Sequence, residues 1–376
     1  MAPARYAVWI LEIITAWAVL FAVQIPLRKR HRCVINTVVF LIKVLLIPLT
    51  ALMFVAFVQP LAYKHGDVLT AVYLALVGDV AASAVEFAIR RIRHAGRGKT
   101  GSADCMWKLN GALSLVFCLC FFIIYGTVNA GNVVEKHLEW QVEGLTAEHS
   151  FAFMADIHAG TAQPLETLEE VCRQINEAGP EFVILGGDIT DELTSREDMI
   201  AVYRVLSQIE APVYFVYGNH DRQPDSDYAG GKTYTDEELS ATIKDAGITV
   251  LADEYVQVAD DLILLGREDL VSPQGRKDWS QLVNPYEGMG ALIVADHQPY
   301  DKEQLAQEVS ALQLSGHTHA GQLWPLQLFY RLLGLPAYGE FEQPGTLLYV
   351  TAGESGWALP LRTEAHCEWD LISLHP

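Results

Sequence analysis

Four long apolar stretches near the start of the chain constrain its fold more than any other feature. They cover about 6–27, 34–59, 68–89 and 109–128 of the 376 residues, and each approaches or exceeds the ~20 residues that a helix needs to cross the hydrocarbon core of a bilayer. Basic residues lead from the first stretch straight into the second with no small-residue cleavage site between them, so the first stretch is interpreted as a permanent helix and not as a signal peptide. Residues 1–130 are therefore predicted to form a transmembrane anchor of four helices.

Charge divides the chain at the same place as hydrophobicity. The formal net charge is +8 over residues 1–130 and −28 over residues 131–376, which together make the −20 of the whole chain. An apolar basic region followed by an acidic one is typical of a membrane anchor joined to a water-soluble domain. Because acids are in such excess, no nucleic-acid partner is expected.

The basic residues between the apolar stretches predict how the anchor is oriented. The first connection holds four Lys or Arg, the second holds one and the third holds six. Because positive charge stays on the cytoplasmic side, the first and third connections are predicted to face the cytoplasm and residues 131–376 to lie on the opposite side. The expected protein is thus a multi-pass protein of the cell membrane, with the lipid bilayer as a partner and an extracytoplasmic domain.

Two charged residues lie within the predicted spans, Lys43 in the second and Asp79 in the third. Because an isolated charge is costly in a bilayer, we expect these two residues to form an ion pair that locks two helices together. The alternative is a proton or substrate pathway, and with it a transporter.

Strand-like and helix-like patterns alternate after residue 131, which predicts an α/β domain. Thr194 with Glu197, and Thr235 with Glu238, match the capping-box pattern that begins a helix. The first strands are expected at about 134–142, 151–155, 182–185 and 213–217, with a helix at about 164–178. Beyond residue 246 the strands follow more closely, which predicts a second, mixed sheet from about 248–252, 262–266, 291–295, 310–314, 346–350 and 369–374.

Polar residues follow five of these strands at their carboxyl ends, where open α/β sheets place their sites. The blocks are Asp156-Ile157-His158, Gly187-Asp188-Ile189-Thr190-Asp191, Gly218-Asn219-His220-Asp221, Asp296-His297 and Gly316-His317-Thr318-His319. Carboxylates and imidazoles without a thiolate are ligands for hard or borderline divalent metals. An extended backbone would point both side chains of D-x-H or H-x-H the same way, and the glycines allow tight turns and close backbone approach. The blocks therefore predict a site for two metals with one carboxylate between them.

Taken in order, the blocks resemble the calcineurin-like metallophosphoesterases, whose signature is D-x-H, G-D-x-x-D, G-N-H-D/E, a lone His and G-H-x-H. The resemblance covers about 134–376 and implies a four-layer αββα sandwich of two mixed sheets. Residues 296–299, 320–322 and 350–353 resemble the membrane-anchored bacterial branch of that superfamily. The chain departs from this branch at three positions where another residue is common, Ala155, Ala159 and Ala320.

The resemblance also implies a role for each polar residue. The first metal would be held by Asp156, His158 and His319, the second by Asn219, His297 and His317, and both by Asp188. His220 would face the substrate, with Asp221 orienting it. Two cations, for which Mn²⁺, Fe and Zn²⁺ are all acceptable, would generate a bridging hydroxide that attacks phosphorus, and His220 would stabilise or protonate the leaving oxygen.

Three further residues are predicted to contact the substrate. Arg267 resembles part of a G-R-x-D element of this branch, and a structural salt bridge is its alternative role. Trp324 and Phe329 belong to an apolar segment, 322–336, which either receives a lipid substrate as an interfacial element or packs as a helix. Asp191 is predicted to act either as a helix-side cap or as a partner of the metal ligands.

These features predict a membrane-anchored dimetal phosphohydrolase that cleaves a phosphomonoester, phosphodiester or pyrophosphate bond of a small-molecule or lipid substrate. An envelope or lipid-linked substrate is a hypothesis that depends on the topology and the apolar segment. The alternative is a membrane sensor or partner-binding protein that uses the metal domain without turnover. The oligomeric state is left open.

Overall fold

The computed structural model describes residues 12, 14–20, 41–47, 50, 68, 70–85, 113–114, 116–117, 124–228, 230–300, 311–343, 345–357 and 361–376. The chain divides into two compact units. The first contains Met1–Val128 with Leu323–Leu326, and the second contains Asn129–Gln322 with Gln327–Pro376.

In the first unit, residues 14–20, 41–47 and 70–85 are helical. No helix within the described parts of the chain is both long enough and apolar enough to cross a membrane. Much of the four predicted spans lies outside the described residues, so the four-helix anchor stays a prediction. The ion pair between Lys43 and Asp79 is confirmed, and both side chains are buried.

Two six-stranded sheets make up the second unit. The first has the order β1 (Val133–Gln141), β12 (Cys367–His375), β2 (His149–Met154), β3 (Val183–Leu185), β4 (Val213–Phe215), β5 (Thr249–Val250). The second has the order β10 (Gly339–Gln343), β11 (Thr346–Val350), β9 (Ala311–Ser315), β8 (Ala291–Ala295), β7 (Leu262–Gly266), β6 (Glu254–Ala259). Both are mixed, as predicted, because each contains parallel and antiparallel pairs.

The predicted division of strands between the sheets was partly wrong. The strands expected at 248–252 and 369–374 belong to the first sheet, as β5 and β12, because they pair with β4 and with β1 and β2. Two strands of the second sheet, β6 and β10, were missed. Both are edge strands with an antiparallel neighbour, so their sequences lack the continuous apolar run of a central parallel strand.

Strand register brings the carboxyl ends of the parallel strands together. Met154 at the end of β2 pairs with Leu185 at the end of β3, and Leu185 pairs with Phe215 at the end of β4. In the second sheet, Ala295 at the end of β8 pairs with Leu314 in β9. The segments that follow these strands therefore leave each sheet at one edge.

The two sheets share one apolar core. It includes Phe151 and Ile184 from the first sheet and Leu264, Ile293 and Leu314 from the second, all buried. The other face of the first sheet packs against helices α1 (Leu165–Ala178), α2 (Arg196–Leu206) and α3 (Asp236–Asp245). On the other face of the second sheet, the described apolar cluster includes Trp279 of the short 3-10 helix Trp279–Gln281. The fourth, α-helical layer of the sandwich thus stays a prediction.

The residues at the helix N-termini confirm one of the two predicted capping boxes and correct the other. Thr235 and Glu238 form the predicted box at the start of α3. The N-cap of α2, however, is Ser195, whose hydroxyl accepts a hydrogen bond from the backbone N–H of Asp198. Thr194 instead donates its hydroxyl to the carbonyl of Ala159, 2.9 Å away, and so ties the start of α2 to the loop after β2.

Candidate metal centre

Two groups of potential ligands form where the loops after β2, β3, β8 and β9 meet. Within each group, the ligand atoms lie within 4.8 Å of one another. The first group is Asp156, His158 and His319, and the second is Asp188, His297 and His317. All six residues were candidate ligands from the sequence. The seventh candidate, Asn219, lies beside the second group, since the backbone N–H of the next residue, His220, donates to Asp188 Oδ1 at 2.8 Å.

Asp188 lies between the two groups. Its Oδ2 is 3.0 Å from His297 Nε2 in its own group and 3.9 Å from His158 Nε2 in the other. A carboxylate in this position can serve two neighbouring cations through the oxygen that faces both groups. The geometry thus has the form expected of a bridging ligand.

Three histidines direct one ring nitrogen away from the site, and in two of them that nitrogen is hydrogen-bonded. His297 Nδ1 is 2.8 Å from the carbonyl of Gly186, and His319 Nδ1 is 3.0 Å from that of Ser355. Because a carbonyl only accepts, Nδ1 carries a proton in both rings, and Nε2 is the nitrogen that faces the other candidate ligands. His158 Nδ1 similarly faces Asp191 Oδ2 at 3.3 Å.

The donor set fits divalent cations. His158 Nε2 is buried and has no hydrogen-bond partner among the described residues. His297 Nε2 is also buried, and although it lies close to Asp188 it lacks the alignment of a hydrogen bond. Leaving such nitrogens unsatisfied is costly, whereas a cation between imidazole and carboxylate would satisfy both. Carboxylate, imidazole and amide donors suit a hard or borderline metal.

The backbone at the ligands is left-handed and not extended, which corrects the expectation for D-x-H and H-x-H. The φ angles are 57° at Asp156, 47° at His158, 53° at Asp188, 72° at His317 and 48° at His319. Such angles cost on the order of 1–3 kcal/mol for a residue other than glycine. Backbone hydrogen bonds between the loops hold this conformation, among them His158 N–H to the carbonyl of Asp188 at 3.1 Å.

The three motif glycines have no room for a side chain. A Cβ on Gly187 would lie 2.6 Å from the backbone nitrogen of Gly218. A Cβ on Gly218 would lie 2.2 Å from Asp188 Oδ1, and one on Gly316 would lie 2.7 Å from Asp156 Oδ2. The glycines thus let neighbouring backbone approach the two carboxylates closely, as predicted.

Charge and burial set the protonation of the second group. Burial opposes ionisation of Asp188, but the nearby His297 imidazole and other histidines hold the pKa of Asp188 well below its usual range. Burial, together with His297, lowers the pKa of His317 to about 3. An ionised carboxylate and a neutral imidazole are the states in which these side chains bind metal.

His220 is positioned by Glu192, which corrects the role expected of Asp221. His220 Nδ1 lies 2.7 Å from Glu192 Oε2, and its ring stacks on Trp357 with 5.8 Å between ring centres. Burial lowers the pKa of His220, but Glu192 and then Asp188 outweigh it and raise the pKa to about 10. Glu192 thus favours the protonated form of His220.

Asp221 instead holds the loop that carries Asp188. Its carboxylate accepts backbone N–H groups from Gly218 at 2.7 Å, Asp188 at 2.9 Å, Ile189 at 2.9 Å and Thr190 at 3.1 Å. Four backbone donors on one carboxylate fix the turn after β3.

Asp191 fills both of the roles that were left open. Its Oδ1 caps the turn before α2 by accepting the backbone N–H of Leu193 at 2.8 Å and of Thr194 at 3.1 Å. Its Oδ2 faces His158 and accepts the Thr161 hydroxyl at 2.6 Å.

Arg267 makes the structural contacts that were the alternative to a substrate contact. The side chain is 1% exposed, lies 2.7 Å from Asp253 and donates to the carbonyl of Lys277 at 2.9 Å. Its guanidinium also lies 4.1 Å from the centre of the Trp279 ring. The other two predicted contacts, Trp324 and Phe329, are not members of the ligand groups. Trp324 is 49% exposed and Phe329 is half-buried.

Several residues of the site were missed from the sequence. Glu192 follows the G-D-x-x-D block directly, so a second adjacent carboxylate was the available signal. Gln298 Nε2 lies 3.3 Å from Asn219 Oδ1 and 3.2 Å from Asp269 Oδ2, and thus holds the amide of Asn219. Trp357 had no signal, because only folding brings it against His220.

The chain is similar in sequence to several known proteins. Residues 149–321 match a family model described as calcineurin-like phosphoesterase. A Danio rerio protein named transmembrane protein with metallophosphoesterase domain is 29% identical over 65% of this chain and 58% of its own length. An Escherichia coli protein named phosphodiesterase YaeI is 29% identical over 55% of this chain and 75% of its own length.

An uncharacterized metallophosphoesterase of Helicobacter pylori is 26% identical over 62% of each chain. The chain thus spans about six tenths of the length of the Danio rerio and Helicobacter pylori relatives. A crystal structure of a dimetal phosphatase from Danio rerio covers 60% of this chain and 91% of its own at 13% identity, with a TM-score of 0.40.

Proposed function

Because the family model and the relatives support membership of the calcineurin-like metallophosphoesterase superfamily, we propose that this chain hydrolyses a phosphoester or pyrophosphate bond with two divalent metal ions. The observation that carries the proposal is the position of the Asp188 carboxylate, 3.0 Å from His297 in one ligand group and 3.9 Å from His158 in the other.

Seven residues would hold the metals. Asp156, His158 and His319 would bind the first, Asn219, His297 and His317 would bind the second, and Asp188 would bind both. Two bound cations supply Lewis acidity, which lowers the pKa of water and neutralises charge on the phosphate. The donor set admits Mn²⁺, Fe or Zn²⁺.

The protein's own acid is His220. Glu192 holds Nδ1, and in the proposed mechanism Nε2 of the same ring would donate a hydrogen bond to the substrate. With a pKa of about 10, His220 stabilises charge on the phosphate or gives its Nε2 proton to the leaving oxygen. Trp357, stacked on the ring, restricts the orientations that it can adopt.

We also propose that the enzyme is a multi-pass membrane protein of the membrane-anchored bacterial branch, with its catalytic domain outside the cytoplasm. Support comes from the four apolar stretches, from the basic connections between them, and from the name of the Danio rerio relative. A lipid-linked or other envelope phosphate is the proposed substrate class. The name of the Escherichia coli relative favours a diester as the first bond to test.

Hydrolysis assays on the full chain test the activity. Bis-p-nitrophenyl phosphate and p-nitrophenyl phosphate are supplied with Mn²⁺, with and without a chelator, and bound metal is counted by mass spectrometry. We expect turnover that the chelator abolishes and that Asp188→Asn lowers by about 100-fold or more. Asp245→Asn, at an exposed aspartate that ends α3, is the matched control and retains activity. Bound metal without turnover of either ester would contradict the proposal and favour the sensor.

A further inference from the structure

A short helix after the last ligand block presents apolar side chains to solvent. This helix, α4 (Leu326–Leu332), buries only Leu326. Leu328 is 53% exposed, Leu332 71%, Leu333 69% and Leu335 41%. Leu328 and Leu332 are four residues apart and so lie on one face. These four residues are called the leucine surface below.

The leucine surface belongs to an ordered helix and to the turn that ends it. At its end, Leu335 N–H donates to the carbonyl of Tyr330 at 2.9 Å and Gly334 N–H to that of Arg331 at 3.2 Å. With a φ of 69° at Gly334, this is the Schellman motif that stops helices. At its start, Gln327 N–H donates to Glu364 at 2.8 Å. The leucines are thus exposed on a fixed framework and not by fraying.

Two tyrosines connect this helix with the metal centre. The ring of Tyr300 lies 5.6 Å from that of His317, edge to face. Burial and the nearby Tyr300 raise the pKa of Tyr330, on α4, to about 12. The helix that carries the leucine surface thus also carries a tyrosine that interacts electrostatically with Tyr300, whose ring borders the candidate ligand His317.

The charge of the segment differs from that of the domain around it. Residues 131–376 carry a net charge of −28, but residues 326–336 contain a single charged side chain, Arg331, which is exposed. An anionic headgroup layer repels an acidic surface and accepts an apolar helix with a cationic residue. This segment is thus suited to a bilayer although the domain as a whole is not.

We propose that the leucine surface inserts into the interfacial layer of a lipid bilayer and presents an amphiphilic phosphate ester to the metal centre. A bilayer is favoured over a second copy because the same chain carries four apolar stretches of membrane-spanning length. Delivery of the ester depends on the proposed hydrolase activity, whereas contact with lipid does not.

Photolabelling of the full chain tests the contact with lipid. The protein is reconstituted in phosphatidylcholine–phosphatidylglycerol vesicles that contain a diazirine phosphatidylcholine, irradiated and digested. We expect label on the peptide that contains 326–335, and about tenfold less in Leu328→Glu with Leu332→Glu. Val283→Glu is the control, because Val283 is an 82% exposed valine outside the leucine surface and its replacement leaves the label in place.

Label on peptides of residues 1–128 but none on 326–335 would overturn the proposal, as would cross-links that join 326–335 of two copies. Labelling requires no turnover, so its failure is distinct from failure of the hydrolase.

Turnover then tests delivery. We expect Leu328→Ser with Leu332→Ser to lower hydrolysis of a phospholipid ester in vesicles about tenfold more than hydrolysis of bis-p-nitrophenyl phosphate. Equal losses on both substrates would overturn delivery by this surface.

Discussion

Glu192 Oε2 lies 2.7 Å from His220 Nδ1, while the residue before it, Asp191, faces the candidate ligand His158 at 3.3 Å. Two consecutive carboxylates thus serve two different imidazoles. One orients a candidate metal ligand, and the other fixes the proton and the direction of the candidate acid.

Replacing Glu192 by Gln should lower kcat by about 10- to 100-fold and change KM little, because the substituted residue orients the acid and does not bind substrate. Glu192 is also the main group that raises the pKa of His220. The alkaline limb of the pH–rate profile should therefore move to lower pH in the variant. Glu197→Gln, at an exposed glutamate in the first turn of α2, is the control. An unchanged alkaline limb would assign Glu192 a purely structural role.

Gly218→Ala should lower metal binding and turnover together. The added Cβ would lie 2.2 Å from Asp188 Oδ1 and 2.4 Å from the backbone nitrogen of Asp188, so the candidate bridging residue must move. Bound metal counted by mass spectrometry and hydrolysis of bis-p-nitrophenyl phosphate measure the effect. Gly247→Ala is a control for the added methyl, because a Cβ there meets nothing within 4 Å. The positive φ at this position should make the alanine variant slightly less stable than the wild type. Full metal content in Gly218→Ala would contradict the bridging position of Asp188.

Arg267→Ala should lower the free energy of unfolding by about 3–5 kcal/mol, because it leaves the buried carboxylate of Asp253 without its cation. Urea denaturation measures this loss, and the KM for bis-p-nitrophenyl phosphate should stay unchanged. Arg196→Ala, which breaks an exposed pair with Glu238, should cost under about 1 kcal/mol. A raised KM in Arg267→Ala without loss of stability would instead support the substrate contact that was expected from the sequence.

His149 should stabilise the protein more at low pH than at high pH. Burial opposes its protonation, but hydrogen bonds to Glu181 at 2.9 Å and Asp261 at 2.7 Å raise its pKa above 6.5. Because the folded pKa exceeds the unfolded value, the stabilisation is complete below about pH 6.5 and is lost as pH rises through the folded pKa. The difference in free energy of unfolding between the wild type and His149→Gln should thus shrink as pH rises. A constant difference would contradict this, and His137→Gln, at a 68% exposed side chain, is the control.

The sequence alone determined which residues gather at the site. Asp156, Asp188, His297 and His317 could be identified because each follows an apolar strand, and parallel strands end at a common edge. The division between an apolar basic third and an acidic α/β domain could also be predicted from the sequence, because hydrophobicity and charge are properties of the chain before it folds.

Only the tertiary structure decided what each polar residue does. Asp221 and Glu192 are both carboxylates near His220 in sequence or in space, yet one accepts four backbone N–H groups and the other pairs with the imidazole. Arg267 forms a buried ion pair with Asp253. Trp357 stacks on His220 although the two residues are 137 positions apart in the sequence. Hydrogen-bond partners depend on where loops from different strands meet, and that meeting is set by packing between two sheets and not by local sequence pattern.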